Sequence, residues 1–282
     1  MKILCYINHY FGHNRYFTGQ SSLPLNTSAD EIAMRAGLRK KNLEDCIGQL
    51  KKLGDIDIKV CGMGNNSLIP LDLDFSSVQK NPIFLVYESL SKMADSSDNY
   101  DYFINIEDDI FLPKETFQHI VDFDKDSLVN EVILPNRLEK DPQGNEYCVD
   151  WSALPGWTQQ NKQIQGKSFR VALNPHSGLL ILSKEKFKFT ISLIDRNFRG
   201  ITVGTGMESA FAYFHSPFAL FRCEDISYHN IYHLDKWMNV IHKTTLPFKE
   251  NMILFIKILI KDMTPPFLFR SVKFLIGKIL RK

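Results

Sequence analysis

The sequence has few cysteines, no long apolar run and almost no net charge. Its five cysteines are scattered, odd in number and never spaced as CxxC, so they indicate neither a disulfide framework nor a zinc site. Such cysteines are typical of a reducing, cytosolic setting. No apolar stretch is long enough to cross a bilayer, and the N-terminus MKILCYINHYFG becomes polar too early for a signal peptide. With 44% hydrophobic and 23% charged residues, the composition indicates an ordinary globular protein.

The net charge of +2 hides an uneven distribution of charge along the chain. Residues 246–282 carry eight Lys and Arg against two acidic residues, a local charge of +6 that leaves −4 for the rest. The last segment also places five apolar residues on one helical side, namely Leu268, Val272, Leu275, Ile279 and Leu280. This pattern predicts a C-terminal amphipathic helical tail in an anionic membrane surface, with packing of the stripe onto the domain as the alternative. Because the basic residues are concentrated in an oily tail, no nucleic-acid partner is expected.

The most informative segment is YDYFINIEDDIFLP, residues 100–113. Its first half is apolar with aromatic and β-branched residues, which predicts a buried strand. Glu107, Asp108 and Asp109 follow at once, before the apolar character resumes. Three adjacent carboxylates repel one another, and a hard cation such as Mn²⁺ or Mg²⁺ would relieve the repulsion while taking further oxygen ligands from substrate phosphates. The alternative is a strand end whose acids face water.

Hydrophobic patterning around this segment predicts alternating strands and helices. Residues 2–7 read as a strand, and a capping box at Ser28 opens a helix that ends at Gly54. A second strand covers residues 56–60, and Pro82 starts another helix before the acidic strand. This alternation predicts an α/β fold with a Rossmann-like, mostly parallel central sheet flanked by helices.

Polar segments follow several of the predicted strands. Ligands of open α/β sheets bind outside the carboxyl ends of the strands, so the polar loop that begins with Asn8 and His9 is a candidate ligand site. Residues 136–166 read as a long polar loop that bears tryptophan. A polar turn at residues 174–178, NPHSG, leads into an apolar strand, and Glu208 follows two glycines just before a short apolar helix.

The acidic triplet, placed directly after a strand in the first half of an α/β chain, resembles the DxD motif of the GT-A glycosyltransferases, which use sugar nucleotides. EDD stands here for the commoner DxD, which leaves the ligand role of Glu107 open. The resemblance implies donor-nucleotide contacts from Asn8, His9, Glu107 and Asp108. It implies a metal ligand at Asp109, completed by a histidine after the last core strand, either His229 or His233.

The later polar segments complete the resemblance. The turn at residues 174–178 resembles the acceptor-side segment of these enzymes, which together with the tryptophan-bearing loop implies acceptor contacts from Trp157, His176, Ser177 and Gly178. Core packing of the Trp157 indole is the alternative. Glu208 stands where an inverting enzyme has its general base, and its alternative role is that of a partner for the helix dipole.

The resemblance implies a GT-A-like glycosyltransferase domain over residues 1–245, followed by the tail, residues 246–282. Its expected reaction is the metal-dependent transfer of a sugar from a nucleotide-diphosphate sugar, with a UDP-sugar as the expected donor, to a glycan or lipid-linked acceptor in cell-surface polysaccharide synthesis. The expected location is cytoplasmic, peripheral on the inner face of the plasma membrane. Alternatives are a metal-dependent nucleotidyltransferase or phosphohydrolase, and a non-catalytic membrane-associated glycan-binding protein.

Overall fold

The computed structural model of the chain describes residues 1–12, 27–140, 143–148, 157–164, 166–172, 177–202 and 206–234. For Tyr147 and residues 157–159 it describes the backbone alone. His176 and the predicted tail, residues 246–282, lie outside these ranges, so the predictions made for them stay predictions.

Helices and strands are interspersed in the first half of the chain, and six consecutive strands then precede the last two described helices. The helices are α1 (Ala29–Leu50), α2 (Leu85–Met93), α3 (Lys114–Asp126), α4 (Lys184–Leu193) and α5 (Gly206–Phe214). The first strands are β1 (Lys2–Asn8), β2 (Asp55–Gly62), β3 (Leu73–Asp74), β4 (Tyr102–Glu107), β5 (Ile110–Phe111) and β6 (Glu131–Ile133). The later strands are β7 (Asn136–Lys140), β8 (Glu146–Cys148), β9 (Trp157–Ile164), β10 (Lys167–Ala172), β11 (Leu179–Ser183), β12 (Ala219–Cys223) and β13 (Asn230–His233).

The central sheet has five strands in the order β11-β4-β1-β2-β3. Strands β4, β1, β2 and β3 run parallel, and β11 pairs antiparallel with β4. The other described strands form two four-stranded sheets, β6-β12-β10-β9 and β5-β13-β7-β8. The prediction of an α/β fold with a mostly parallel central sheet is confirmed by this topology.

Period-two alternation in the central strands divides the core between the two faces of the sheet. In β4, Ile104 and Ile106 pack with the apolar side chains of α1 and α3, whereas Phe103 packs with those of α2, α4 and α5. The start of α1 follows from local chemistry, because Ser28 accepts a hydrogen bond from the N–H of Glu31. A short 3₁₀ turn, Lys51–Leu53, follows the helix and ends at Gly54, which has a φ of +122°. The sheet is therefore covered on both faces, as a parallel sheet requires.

The prediction of a long polar loop over residues 136–166 is wrong. This stretch contains β7, β8 and β9, and Trp157 begins β9 opposite Ala172. Strands β8 and β9 are edge strands of their sheets, so they pair on one side alone and carry mostly polar residues. An edge strand whose apolar and polar residues do not alternate has the sequence character of a loop.

All five cysteines are free thiols, and four of them are buried. None of the helices in the described ranges combines the length and apolar character needed to span a membrane.

Candidate functional site at the ends of β1 and β4

The chain reverses its direction of travel across the central sheet between β1 and β4. From β1 it continues to β2 and β3 on one side, and it returns to the other side of β1 with β4. Strands that diverge in this way leave a crevice at their carboxyl ends, where open α/β sheets bind ligands. Asn8 and Glu107 end these two strands as register partners, so the predicted donor-nucleotide residues lie together at this crevice.

A neutral network of buried polar side chains lies beneath the crevice. The Asn8 amide donates to Asn105 Oδ1 at 2.7 Å, and Asn8 Oδ1 accepts from the Ser89 hydroxyl at 2.5 Å. The Asn105 amide in turn donates to Ser89 Oγ at 2.9 Å. The side chain of Asn8 is thus engaged in joining β1, β4 and α2, so its amide can reach a nucleotide only if this network opens.

The acids Glu107, Asp108 and Asp109 are buried, and cationic side chains surround them. Arg39, on α1, donates through Nη1 to Asp109 Oδ2 at 2.7 Å and through Nε to Asp108 Oδ2 at 3.1 Å, and its Nη2 contacts Asp108 Oδ1. We call the three acids with Arg39, His9 and His233 the acid cluster. The charge-assisted hydrogen bonds of the Arg39 guanidinium offset much of the repulsion between the neighbouring carboxylates.

His9 connects the acid cluster to the loop after β2. Its Nε2 accepts the backbone N–H of Leu68 at 3.0 Å, so that nitrogen carries no proton. Nδ1 therefore holds the proton and donates it to Asp108 Oδ2. His9 thus orients the Asp108 carboxylate as a neutral imidazole.

His233 is held between two carboxylates. Its Nε2 lies 3.4 Å from Asp109 Oδ2, and its Nδ1 lies 2.6 Å from Glu139 Oε1. Pairing of β13 with β5 sets this position, since His233 stands opposite Ile110 in the ladder. Burial alone would lower the pKa of His233, but Asp109 and Glu139 outweigh it and raise that pKa to about 9. The imidazole is therefore protonated at neutral pH and must release a proton before it can ligate a metal.

One carboxylate oxygen of the acid cluster has no donor among the described residues. Asp109 Oδ1 is buried without a hydrogen-bond partner, although Oδ2 is bound by Arg39. Burial would raise the pKa of Asp109, but Arg39 and His233 hold it well below its usual range, so the carboxyl is ionised. Burial and the charge of Asp109 raise the pKa of Glu107 to about 8, with a further contribution from Glu208. The cluster therefore has an ionised oxygen available and an excess of carboxyl groups around it.

The donor set of this site fits a hard divalent ion that takes one or two protein ligands. Such an ion usually completes its shell with water and substrate phosphates. Within the described residues, no group of three or more His, Cys, Asp or Glu side chains is arranged to enclose a metal ion by itself. Asp109 Oδ1 is the oxygen that such an ion would use first.

The predicted acceptor residues Ser177 and Gly178 adjoin the acid cluster. The carbonyl of Gly178 accepts the N–H of Glu107 at 2.9 Å, and a Cβ at Gly178 would lie 2.8 Å from Glu107 Oε2. Gly178 also has a φ of +70°, which favours glycine. Ser177 is fully buried and accepts a hydrogen bond from Arg222 Nη2 at 2.9 Å. Its hydroxyl is therefore directed toward the interior in this structure.

A second buried group, which we call the arginine cluster, consists of Arg222, His215, His229 and Ser177. Arg222 donates to the carbonyl of Pro135 as well as to Ser177. Burial and Arg222 lower the pKa of His215 to about 3, and burial with His119 and Arg222 does the same for His229. Neither ring nitrogen of His215 or His229 has a hydrogen-bond partner among the described residues.

The structure places His233, and not His229, beside Asp109. The two histidines are four residues apart along β13 and its approach, which corresponds to about 13 Å in an extended strand. Glu208 lies in the first turn of α5 and acts electrostatically on Glu107. The side chain of Trp157 and all of His176 lie outside the described part of the chain.

Sequence reasoning missed two residues of this site, Arg39 and Glu139. Arg39 lies off the apolar stripe of α1, which indicates a solvated residue, yet its side chain is 12% exposed. Glu139 belongs to β7, within the stretch read as a loop. A signal for Arg39 is the excess of acids after β4, since buried carboxylates need cationic partners from elsewhere in the chain.

No model of a known protein family matches the chain, and no curated protein matches it either.

Proposed function

We propose that the chain is a glycosyltransferase that moves a sugar from a nucleotide-diphosphate sugar to a glycan or lipid-linked acceptor. The observation that carries the proposal is Asp109 Oδ1, an ionised and buried oxygen that has no donor among the described residues, at the crevice between β1 and β4. A nucleotide bound in that crevice would bring its phosphates to the carboxyl ends of the same two strands. The resemblance of the acidic triplet to the DxD motif supports a sugar nucleotide, with a UDP-sugar as the first donor to test.

The proposed cofactor is Mn²⁺ or Mg²⁺, held by Asp109. When bound, the ion would supply positive charge to stabilise the nucleoside diphosphate as it departs. Asp108 is kept in place by His9 and Arg39, so it would contact the donor from a fixed position. His233, a cation at neutral pH beside Asp109, would hold the orientation of that carboxylate through the charge pair.

The acceptor side of the reaction is assigned to Glu208 and to the start of β11. Glu208 would take the proton of the acceptor hydroxyl as general base if the enzyme inverts configuration. The proposed role is supported by the contribution of the Glu208 charge to the raised pKa of Glu107. The close packing of Gly178 on Glu107 likewise joins the acceptor-side segment to the donor side.

The proposed setting is the cytoplasmic face of a membrane. It is supported by the charge of +6 in residues 246–282 together with their apolar stripe. A glycosyltransferase anchored there would meet lipid-linked or growing surface glycans, which accounts for the proposed role in cell-surface polysaccharide synthesis.

The first test is a thermal-shift panel of nucleoside diphosphates and sugar nucleotides, with and without Mn²⁺. A donor that binds the native state raises the melting temperature, and we expect one diphosphate to do so in a metal-dependent way. Asp109→Asn should abolish that dependence, whereas Asp98→Asn, whose side chain is 77% exposed, should keep it. The matching sugar nucleotide then enters an acceptor screen for transfer.

Two outcomes would contradict the proposal. Hydrolysis of the nucleotide without transfer to any glycan or lipid-linked acceptor would favour a phosphohydrolase. Absence of any metal-dependent nucleotide effect, with binding of glycans unchanged in Asp109→Asn, would favour a glycan-binding protein.

A further inference from the structure

The first half of α1 is attached to the body of the protein differently from its second half. From residue 29 to residue 41 no side chain is fully buried, whereas the second half buries Leu43, Cys46 and Leu50. In the exposed half, Arg39 reaches the acid cluster and is 12% exposed. Arg35, one turn earlier, pairs instead with Glu31 on its own helix. Arg39 therefore provides a charged contact between this half-helix and the site.

The guanidinium of Arg39 lies between two buried carboxylates, which need a positive charge beside them. It binds Asp109 Oδ2 at 2.7 Å and spans both oxygens of Asp108, so it neutralises two of the three acids. On the same Asp109 carboxylate, Oδ1 has no hydrogen-bond partner in the described part of the chain. A divalent ion at Oδ1 would thus share a carboxylate with the guanidinium, and two cations so placed repel each other.

We infer that Arg39 is a built-in counter-ion that competes with the divalent cation for Asp109 and thereby sets the affinity of the site for the metal. The inference rests on the proposed function and adds to it a positioning residue that the acidic motif does not contain. Without a nucleotide, Arg39 keeps the buried acids paired and the metal weakly bound. A bound diphosphate offers the guanidinium a second anion of matching geometry, which releases Asp109 to the ion.

This exchange predicts coupling between metal and nucleotide. Because each ligand weakens the hold of Arg39 on Asp109, each should tighten the binding of the other by the same factor. Removal of the guanidinium removes the competitor, so the metal should bind more tightly when no nucleotide is present. The coupling to the diphosphate should decrease at the same time, since the exchange that produces it is gone.

The test measures binding of Mn²⁺ alone, by the loss of the free-ion electron paramagnetic resonance signal, to the full chain and three variants. In Arg39→Gln we expect Mn²⁺ to bind about tenfold more tightly than in the unaltered chain, in the usual range for coupled sites. Arg39→Lys keeps the charge and should stay within about threefold of the unaltered affinity, as a retained cation still competes. Arg35→Gln, one helical turn away, is the matched control and should not change the affinity.

Arg39→Gln leaves two buried carboxylates without their guanidinium and will unfold more easily, so melting temperatures with and without Mn²⁺ are recorded for each variant. Because the variant should bind Mn²⁺ more tightly, Mn²⁺ should raise the melting temperature of Arg39→Gln more than that of the unaltered chain. Equal or weaker Mn²⁺ binding by Arg39→Gln, or no binding by either protein, overturns the inference.

Failure of the inference differs from failure of the proposed function. Equal Mn²⁺ affinities with metal-dependent nucleotide binding intact would overturn the counter-ion role and leave the transferase standing. Tighter Mn²⁺ binding by Arg39→Gln without any nucleotide effect in the unaltered chain would support the competition and count against the transferase.

Discussion

His229 directly precedes β13 and His233 ends it, and their surroundings give the two imidazoles different charge states. His233 lies in the acid cluster between Asp109 and Glu139, and its pKa is raised to about 9. His229 lies in the arginine cluster near Arg222, and its pKa is lowered to about 3. Both imidazoles are buried, so burial alone does not account for the difference. Burial lowers the pKa of both imidazoles, and at His233 the neighbouring carboxylates outweigh this effect.

The two clusters are also joined by two consecutive residues at the start of β11. Ser177 accepts from Arg222, and Gly178 packs against Glu107. A shift at this point or along β13 would therefore act on both clusters. The acid cluster has an oxygen and a set of charges that suit a ligand, whereas the arginine cluster holds neutral imidazoles around a buried guanidinium. The proposed ligand chemistry therefore falls on the acid cluster, at the His233 end of β13.

The largest effect is expected from replacing the charged histidine. His233→Phe leaves Asp109 and Glu139 with one cation fewer in a buried setting, which should cost about 3 to 5 kcal/mol of unfolding free energy. His229→Phe removes an imidazole without hydrogen-bond partners in the described structure, so its cost should stay below about 1 kcal/mol. Urea unfolding of both variants beside the unaltered chain measures the difference. Similar losses in the two variants would show that the clusters do not differ as described.

The dependence of stability on pH sharpens the comparison. His229 and His215 protonate near pH 6.5 when unfolded but near pH 3 when folded, so their contribution is present above pH 6.5 and is lost as the pH falls. Each should cost about 2 kcal/mol between pH 7.5 and pH 5. His233 has the opposite sign, because its contribution is present below pH 6.5 and is lost as the pH rises through about 9.

Unfolding measured from pH 5 to pH 9.5 separates these contributions. His229→Phe should lose less stability on the acid side than the unaltered chain, and His233→Phe should lose less on the alkaline side. If His229→Phe and the unaltered chain lose the same unfolding free energy between pH 7.5 and pH 5, the lowered pKa of His229 is contradicted.

The link between the two clusters is tested at Gly178. Gly178→Ala places a Cβ 2.8 Å from Glu107 Oε2 on a backbone with a φ of +70°, which should cost about 2 kcal/mol. Gly48→Ala, in α1 with no atom within 4 Å of the added Cβ, should instead stabilise the protein by about 0.5 to 1 kcal/mol. Thermal unfolding compares the two. A neutral Gly178→Ala would mean that β11 can move away from the acid cluster without cost.

The sequence alone predicted the strands and the helix that surround the site, but not which cations pair with its acids. The apolar runs of β1 and β4 and the capping box at Ser28 specify local structure, and parallel strands bring Asn8 and Glu107 to one edge. Those features are local, so periodicity and turn chemistry are sufficient to find them. The acids after β4 can be found in the sequence for the same reason, because they are consecutive residues at the end of a predicted strand.

The cations that neutralise the acids could not be predicted in this way. Arg39 is 69 and 70 residues away from Asp108 and Asp109, and its contact depends on the packing of α1 over β5. Glu139, which fixes His233, lies on a strand whose sequence has no clear alternation. The charge of His233 and the choice between it and His229 follow from these long-range contacts, which no spacing in the sequence records.

The smallest effect is expected from the neutral network beneath the acid cluster, which is a useful contrast because it has no charge to lose. Ser89→Ala removes the hydroxyl that donates to Asn8 Oδ1 and accepts from the Asn105 amide, which should cost about 1 kcal/mol. Ser192→Ala, on the exposed face of α4, is the matched control and should change stability by less than about 0.5 kcal/mol. Urea unfolding at pH 7 and pH 5.5 should give the same loss for Ser89→Ala at both values, because neither amide nor hydroxyl titrates there. A loss that grows at the lower pH would mean that the network is coupled to the charges above it, and that the ends of β1 and β4 respond to the acid cluster as one unit.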